Sequence, residues 1–564
     1  MSRKRWIRIP IFRTAGRIRR RLPAYTVIGF ALFLAYLPTF SGDFLFDDRP
    51  LVRDNPYVTK LQPLSSYLAQ EDGIADERDM GVFRTGYYRP LMNVTYHLDY
   101  RLWGMKAAGF RATNWLFHLL TCLILYELMA MLTKRDVWSL LGALLFALHP
   151  VQTESVSMVV SRNNIFSAFF VLIALYGYIR WWERKSAIAL ACSLIAFIGA
   201  LFSKEFGVMA LPILFLYQRL LARKRDGRRE AASYLPFAII TAIYLLLRGQ
   251  VIAASVAVPE DWGTRLLFAP YLVAYNLRLL VFPYGLHSFH VSYPSSPYTA
   301  TVLLSLALIC LVAVLLYRCR RERLMVFSAL SFLVVLLPVL NLAAKASVSL
   351  IAMRWLYLPL AFLSLGVVLA LGRVPDRRRG LTLACSVLIV LYLGAYAYTL
   401  NRNLWHDEDA FLRQEALHFR NELYYGDYAE LLFQQGDRRQ AERFFDLALQ
   451  SKTAKARDFI NYGALLIETK RPGEAVRILE RATGMTMIHA EQADWHTNLG
   501  VALTLTGRLE QAHDHLKQAW LLDVQNPVRY RNYAILLVRQ GRLVKGASPA
   551  EEMRMLRPEG RRAK

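Results

Sequence analysis

The sequence predicts an all-α membrane protein of about eleven to twelve spans that runs on into a soluble array of paired helices. Three observations lead there. First, 55% of the 564 residues are hydrophobic and mean hydropathy is positive, whereas a soluble chain this long would divide into domains with polar surfaces and a negative mean. Second, the net charge of +26, from 69 Lys and Arg against 43 Asp and Glu, is gathered into clusters between apolar runs. These include the first 21 positions, Lys134-Arg135, Arg180 to Lys185, Arg223 to Arg229, Arg318 to Arg323 and Arg377 to Arg379. That is the signature of cytoplasmic membrane loops and not of a nucleic-acid-binding face. Third, beyond residue 400 the composition turns to charged helix-forming sequence with an internal period.

Residues 1–23 form a basic segment expected on the cytoplasmic side, where alternating isoleucine, phenylalanine and arginine also suit anionic lipid. The first apolar run, 24–40, ends in Leu37-Pro38-Thr39-Phe40, which lacks the small residues a signal peptidase needs, so it reads as a retained anchor. A span takes ~20 mostly apolar residues. Within a membrane domain of 24–400, such runs lie at 24–40, 112–132, 137–158, 163–182, 186–203, 206–221, 232–254, 299–317, 325–344, 350–372 and 380–400. Crossing at each places every basic cluster inside. The first loop 41–111, the loops 159–162, 204–205, 255–298 and 345–349, and everything after 400 then fall outside. Counting 266–282 as another crossing would move two arginine clusters outside, so that stretch is read as re-entrant or interfacial. The five cysteines lie in or beside apolar runs, and no spacing among them suits zinc or a disulfide framework.

After a linker at 401–420, residues 421–545 repeat. Ala429, Gly463, Gly500 and Ala534 are spaced 34, 37 and 34 apart, and Leu432, Leu466, Leu503 and Leu537 keep the same frame. So do the small residues Ala441, Ala475 and Ala512 and the large Phe445, Leu479 and Leu516, with Gly436, Gly507 and Gly541 at the turns. This resembles the tetratricopeptide repeat, in which small positions let two helices approach and large ones fill the next hairpin. Three repeats are well formed and the fourth decays into a basic tail at 546–564.

Chemistry-bearing residues gather on the expected outer side. Asp47 and Asp48 stand side by side beside Phe44, Leu45 and Phe46, where mutual repulsion and lost hydration would raise a carboxyl's proton affinity and suit a general base. Adjacent acids also serve as plain helix caps. Tyr88 and Arg89, His149 and Glu154, Arg162, and Lys204-Glu205 lie at other span ends, where charged groups either function or snorkel to the interface. Lys204-Glu205 also reads as an ion pair across a tight turn, and His149 as a helix cap. Arg354 lies several residues into an apolar run, where a lone guanidinium costs ~3 kcal/mol, so it needs an anionic partner. A lipid phosphate would serve.

The order Phe46-Asp47-Asp48, Tyr88-Arg89-Pro90-Leu91, Asp99 to Gly104, Thr113 to His118, His149-Pro150, Thr153-Glu154, Ser161-Arg162, Ser203-Lys204-Glu205 and Arg354 to Pro359 resembles the transmembrane and tetratricopeptide-repeat O-mannosyltransferases and their bacterial relatives. The resemblance implies a GT-C fold and an inverting transfer of a sugar, usually mannose, from a polyprenyl-phosphate donor to a hydroxyl acceptor such as protein Ser or Thr outside the cytoplasm. It implies that Asp47 and Asp48 are catalytic. The charge on a departing phosphate makes Arg354, with Arg89, Arg162 or Lys204, the expected cationic clamp, with the outer-face residues His149, Glu154, Glu205 and Tyr88 in support. A phosphate leaving group requires cations and no general acid. Paired carboxylates can also hold Mg²⁺ or Mn²⁺, and Asp47 and Asp48 would be the ligands, although nothing in the sequence demands a metal.

The expected partners are the bilayer, the polyprenyl-phosphate sugar, and an acceptor polypeptide or partner protein on the repeats, with no nucleic acid. The expected place is a bacterial inner membrane, N-terminus cytoplasmic and repeats periplasmic, or the endoplasmic reticulum in a eukaryote. Two other readings are a ligase moving a lipid-diphosphate-linked oligosaccharide, whose long outer loop usually sits late in the chain whereas here the largest is the first, and a non-enzymatic repeat-bearing membrane scaffold or transporter.

Overall fold

The computed structural model describes residues 11–69, 72–75, 82–222, 227–252, 262–286, 288, 299–340 and 350–542. The first ten residues, the loop 345–349, part of the Arg223 to Arg229 cluster and the tail 546–564 lie outside the described residues. The chain divides into two compact units, one of residues 1–74 and 84–411, the other of 75–83 and 412–564.

The larger unit is helical. Among the described residues, eight helical segments are long and apolar enough to cross a membrane: Arg19–Ser41, Ala107–Thr133, Val159–Arg184, Glu230–Val251, Ala300–Arg318, Arg323–Leu340, Met353–Leu371 and Asp376–Asn403. Two shorter apolar helices, Asp136–Leu148 and Ala187–Ser203, accompany them. The chain is therefore a multi-pass membrane protein.

All eleven expected runs carry helices, and two of the runs are interrupted. The run 137–158 stops as a helix at Leu148, because Pro150 forces His149 into extended backbone (φ −65°, ψ 127°), and a short turn and the helix Thr153–Ser157 follow. The run 206–221 opens with the tight turn Glu205–Met209 and leaves only the eleven-residue helix Ala210–Leu220. The stretch 266–282 lies in a continuous helix, Trp262–Val281. Some helices approach very closely. A Cβ on Gly177 would come within 2.8 Å of the Ala189 carbonyl, and Ser193 Oγ donates to the Ala174 carbonyl at 2.7 Å, so small residues seat the helix Ala187–Ser203 against Arg162–Arg184.

The first loop departs from the all-helical expectation with a two-stranded hairpin, Asp72–Ala75 and Val82–Tyr87. Elsewhere in the loop, Phe44, Val52, Val58, Met92, Tyr96 and Phe110 form a buried apolar cluster with Val159 and Phe166, so the loop is folded onto the helices and not merely strung between them. The expected linker 401–420 is also structured. Leu404 and Trp405 are buried, and Trp405 Nε1 donates to Thr153 Oγ1 at 2.9 Å.

The smaller unit is built from helix pairs at the predicted period: Tyr425–Gln434 with Arg438–Gln450, Ala456–Glu468 with Pro472–Glu480, and His489–Leu505 with Leu509–Leu522. Pro527–Arg539 is the first helix of the decaying fourth repeat. Gly463 and Gly500 occupy the close-approach position, where a Cβ would come within 2.6 Å of the Leu479 and Leu516 side chains. Gly436, Gly507 and Gly541 take positive φ at the turns.

Candidate active site

The segment leaving the first helix is pinned from several directions. Arg111 is fully buried and donates to the carbonyls of Thr39 (2.8 Å), Ser157 (2.9 Å) and Asp43. Gly42 packs directly on the His406 backbone, leaving no room for a side chain. Phe44 and Leu45 are buried, and Phe46 is held at φ 39°, a conformation that costs a bulky residue roughly 1–3 kcal/mol. This strained residue immediately precedes the two aspartates.

The aspartates diverge. Asp48 is fully buried, its Oδ1 accepting from the Val160 N–H (2.9 Å) and its Oδ2 from the Leu45 N–H (3.2 Å). It caps, from a distance in sequence, the turn that leads into the helix Arg162–Arg184. Burial pushes its carboxyl up to about 6, while those N–H groups and the Arg111 guanidinium restrain the rise. Asp47 is half-buried and lines a cavity of about 120 Å³ with Tyr87, Arg89, Tyr96, Ser161, Asn163, Lys204, Glu205, Phe206, Arg354 and Trp355.

Three cations ring that cavity. Arg89 donates through Nε and Nη2 to Glu205 at 3.2 and 2.8 Å and lies 4.0 Å over the Tyr87 ring. Burial alone would push the Glu205 carboxyl up, but the Arg89 guanidinium with Lys204 holds it down at about 2. Lys204 is buried, donates to Asn164 Oδ1 at 2.6 Å and sits over the Phe206 ring. Its pKa is pushed well below the usual lysine range, by burial first and then by Arg89 and Arg354. Arg354 donates its backbone N–H to Glu154 Oε2 at 2.7 Å and its guanidinium to Oε1, so the anionic partner expected for it is supplied by the protein. Lys204, Phe206, Arg354 and Trp355 also line an adjoining crevice whose other walls include Met209, Val335, Leu358 and Pro359.

Other expected site residues lie elsewhere. Arg162 is turned inward and fully buried, paired with Asp99 and donating to Asn114 Oδ1 (2.7 Å), Thr95 Oγ1 (3.2 Å) and the Phe110 carbonyl (2.9 Å). That network satisfies its donors and takes it out of the cavity wall. His149 caps the turn after its helix, accepting from the Val151 N–H at 3.3 Å and donating to the Leu280 carbonyl at 3.0 Å. Tyr88 is buried against Phe202 and Tyr244 and donates to the Leu68 carbonyl, so its neighbour Tyr87 faces the cavity instead. That exchange follows the period-two alternation of a strand ending at Tyr87. Tyr96, Ser161, Asn163, Phe206 and Trp355 join the wall without having been assigned a role.

Each Asp48 oxygen accepts a backbone N–H, and Asp48 does not line the cavity that Asp47 lines. Among the described residues no three of His, Cys, Asp and Glu converge as metal ligands.

The architecture is thus that of a multi-pass membrane protein with tetratricopeptide repeats and a charged cavity beside its first loop. The tetratricopeptide-repeat family model matches residues 424–446 and 495–518. The chain is similar to Protein O-mannosyl-transferase Tmtc2 of Drosophila melanogaster, with 31% identity over 271 residues, 44% of this chain and 28% of that protein. It is 25% identical over 511 residues to Protein O-mannosyl-transferase TMTC1 of Homo sapiens, covering 79% of this chain and 57% of that protein. The chain therefore spans less than two thirds of the length of these relatives. Among solved structures, ArnT from Cupriavidus metallidurans bound to undecaprenyl phosphate aligns over 87% of this chain and 89% of that one, at 14% identity and a TM-score of 0.41.

Proposed function

We propose that the protein is a GT-C-type membrane glycosyltransferase that moves a hexose, in the first instance mannose, from a polyprenyl-phosphate donor to a polypeptide hydroxyl with inversion. The observation that supports this most is the convergence of Asp47 with Arg89, Lys204 and Arg354 on one cavity that shares a wall with an apolar crevice. A phosphate at Lys204 and Arg354 leaves the Asp47 side of the cavity for the acceptor.

In this reading Asp47 takes the proton of the acceptor hydroxyl as its oxygen bonds the anomeric carbon. The bond from that carbon to the phosphate oxygen breaks, and the phosphate leaves with the electron pair as a polyprenyl phosphate monoester. Arg89, Lys204 and Arg354 stabilise the charge that grows on it. Burial, Arg89 and Arg354 disfavour the charged form of Lys204, and an anion entering beside it favours that form. Asp48 and Arg111 act through position, fixing the loop that carries Asp47. The reaction face is extracytoplasmic, opposite the basic ends of the helices, and the repeats engage the acceptor or a partner protein.

The test is transfer from polyprenyl-phosphate mannose to a Ser/Thr-rich peptide by the full chain in proteoliposomes. Mannosylated peptide is expected, and Asp47→Asn should lower the rate about 10²–10⁴-fold. No transfer by the wild type, or an undiminished rate in Asp47→Asn, overturns the reading.

A further inference from the structure

Most buried hydroxyls in the membrane unit are satisfied by the protein. Ser157 Oγ donates to Asn401 Oδ1, Ser193 Oγ to the Ala174 carbonyl and Ser328 Oγ to the Phe362 carbonyl. Ser161 is different. It is 1% exposed, lines the cavity beside Asp47, Arg89, Lys204 and Arg354, and its Oγ has no hydrogen-bond partner among the described residues.

Other buried serine hydroxyls share that lack, namely Ser155, Ser331 and Ser364. None of them lines this cavity or the adjoining crevice. The Ser161 backbone is fully engaged, its N–H donating to the Met158 carbonyl at 3.2 Å and its carbonyl accepting from Asn164 Nδ2 at 3.0 Å. The residue is therefore held in place while its side chain stays unused. It sits immediately before the helix Arg162–Arg184, yet gives that helix no side-chain cap. A buried hydroxyl without a partner is a standing cost to the fold, so a group that arrives in the cavity is the natural recipient of its proton.

We infer that Ser161 is a donor-binding residue whose hydroxyl hydrogen-bonds a phosphate oxygen of the polyprenyl-phosphate headgroup, adding a neutral donor to the three cations. This rests on the phosphate reading of the cavity. A hydroxyl to an anionic oxygen makes a short, charge-assisted bond that is directional where a lysine's is not. It would fix the rotation of the headgroup, and with it the anomeric carbon, relative to Asp47.

Farnesyl phosphate, a short polyprenyl phosphate, is titrated into the full chain in detergent while the unfolding midpoint is followed. The wild type should be protected, and inorganic phosphate should protect it less. Ser161→Ala should unfold at the same midpoint as wild type or higher without ligand, because the unpaired hydroxyl is gone, yet bind farnesyl phosphate about ten-fold more weakly. Ser161→Thr, which keeps the hydroxyl, should bind within about three-fold of wild type.

The inference is overturned if Ser161→Ala binds farnesyl phosphate as tightly as wild type. It is also overturned if the ligand-free midpoint of Ser161→Ala falls, which would mark the hydroxyl as structural. Equal protection by inorganic phosphate would show that a free anion, not a lipid headgroup, is held. A wild type that responds to neither ligand removes the phosphate reading itself, which separates that failure from one confined to Ser161.

Discussion

The two units pair their charges in opposite ways. In the repeats, many partners lie about one repeat apart and near the surface: Arg508 with Glu480 at a separation of 28 residues, Arg471 with Glu442 at 29, Arg438 with Glu468 at 30. In the membrane unit they are remote and largely buried: Arg162 with Asp99 at 63, Arg89 with Glu205 at 116, Arg354 with Glu154 at 200. Exposed pairs contribute roughly 0–1 kcal/mol each, whereas removing one partner of a buried pair costs about 3–5 kcal/mol. The repeats are therefore stabilised mainly by periodic apolar packing. The membrane unit depends on a few irreplaceable polar contacts, and those same contacts shape its cavity.

The sharpest way to break that contrast is at the cavity, where the Asp47→Asn rate loss set out above should have no counterpart for any single charge in the repeats. Next in size, Arg162→Met leaves Asp99 buried and should destabilise the membrane unit by about 3–5 kcal/mol, read as thermal unfolding in detergent. Asp48 gives a pH test. Its carboxyl is raised in the fold, so the stability it contributes is fully present below its ordinary value of 3.8 and lost as pH rises through about 6. Replacing it by Asn should flatten that part of the stability–pH curve.

In the repeats, Gly463→Val forces methyl groups onto Leu479 and should cost about 1–3 kcal/mol, measured by urea unfolding of the full chain followed through the repeats. Smallest of all, Arg438→Gln breaks an exposed pair with Glu468 and should change stability by less than about 1 kcal/mol. A large loss there would erase the distinction between the units.

The same contrast explains what could be read in advance. The helix pairs, their turns and their close-approach glycines were visible because each position's neighbours recur at a fixed offset. The long spans were visible because twenty apolar residues have few alternatives in water. Asp47 and the cations Arg89, Lys204 and Arg354 stood out as charges beside apolar runs. Two things were not legible: that Asp48 turns away to cap a turn over a hundred residues later, and that Arg162 is absorbed by Asp99. That Tyr87 rather than Tyr88 faces the cavity depends on the register of the strand Val82–Tyr87, which its pairing sets.

The sequence by itself determined the class of the molecule, because hydropathy, charge clustering and repeat period are local properties that each segment carries wherever it is placed. Only the tertiary structure decided which ionisable groups share a cavity and which are spent holding it together. That choice depends on where side chains from segments as remote as those of Asp47 and Arg354 come to rest, and a hydrogen bond reaches only about 3 Å.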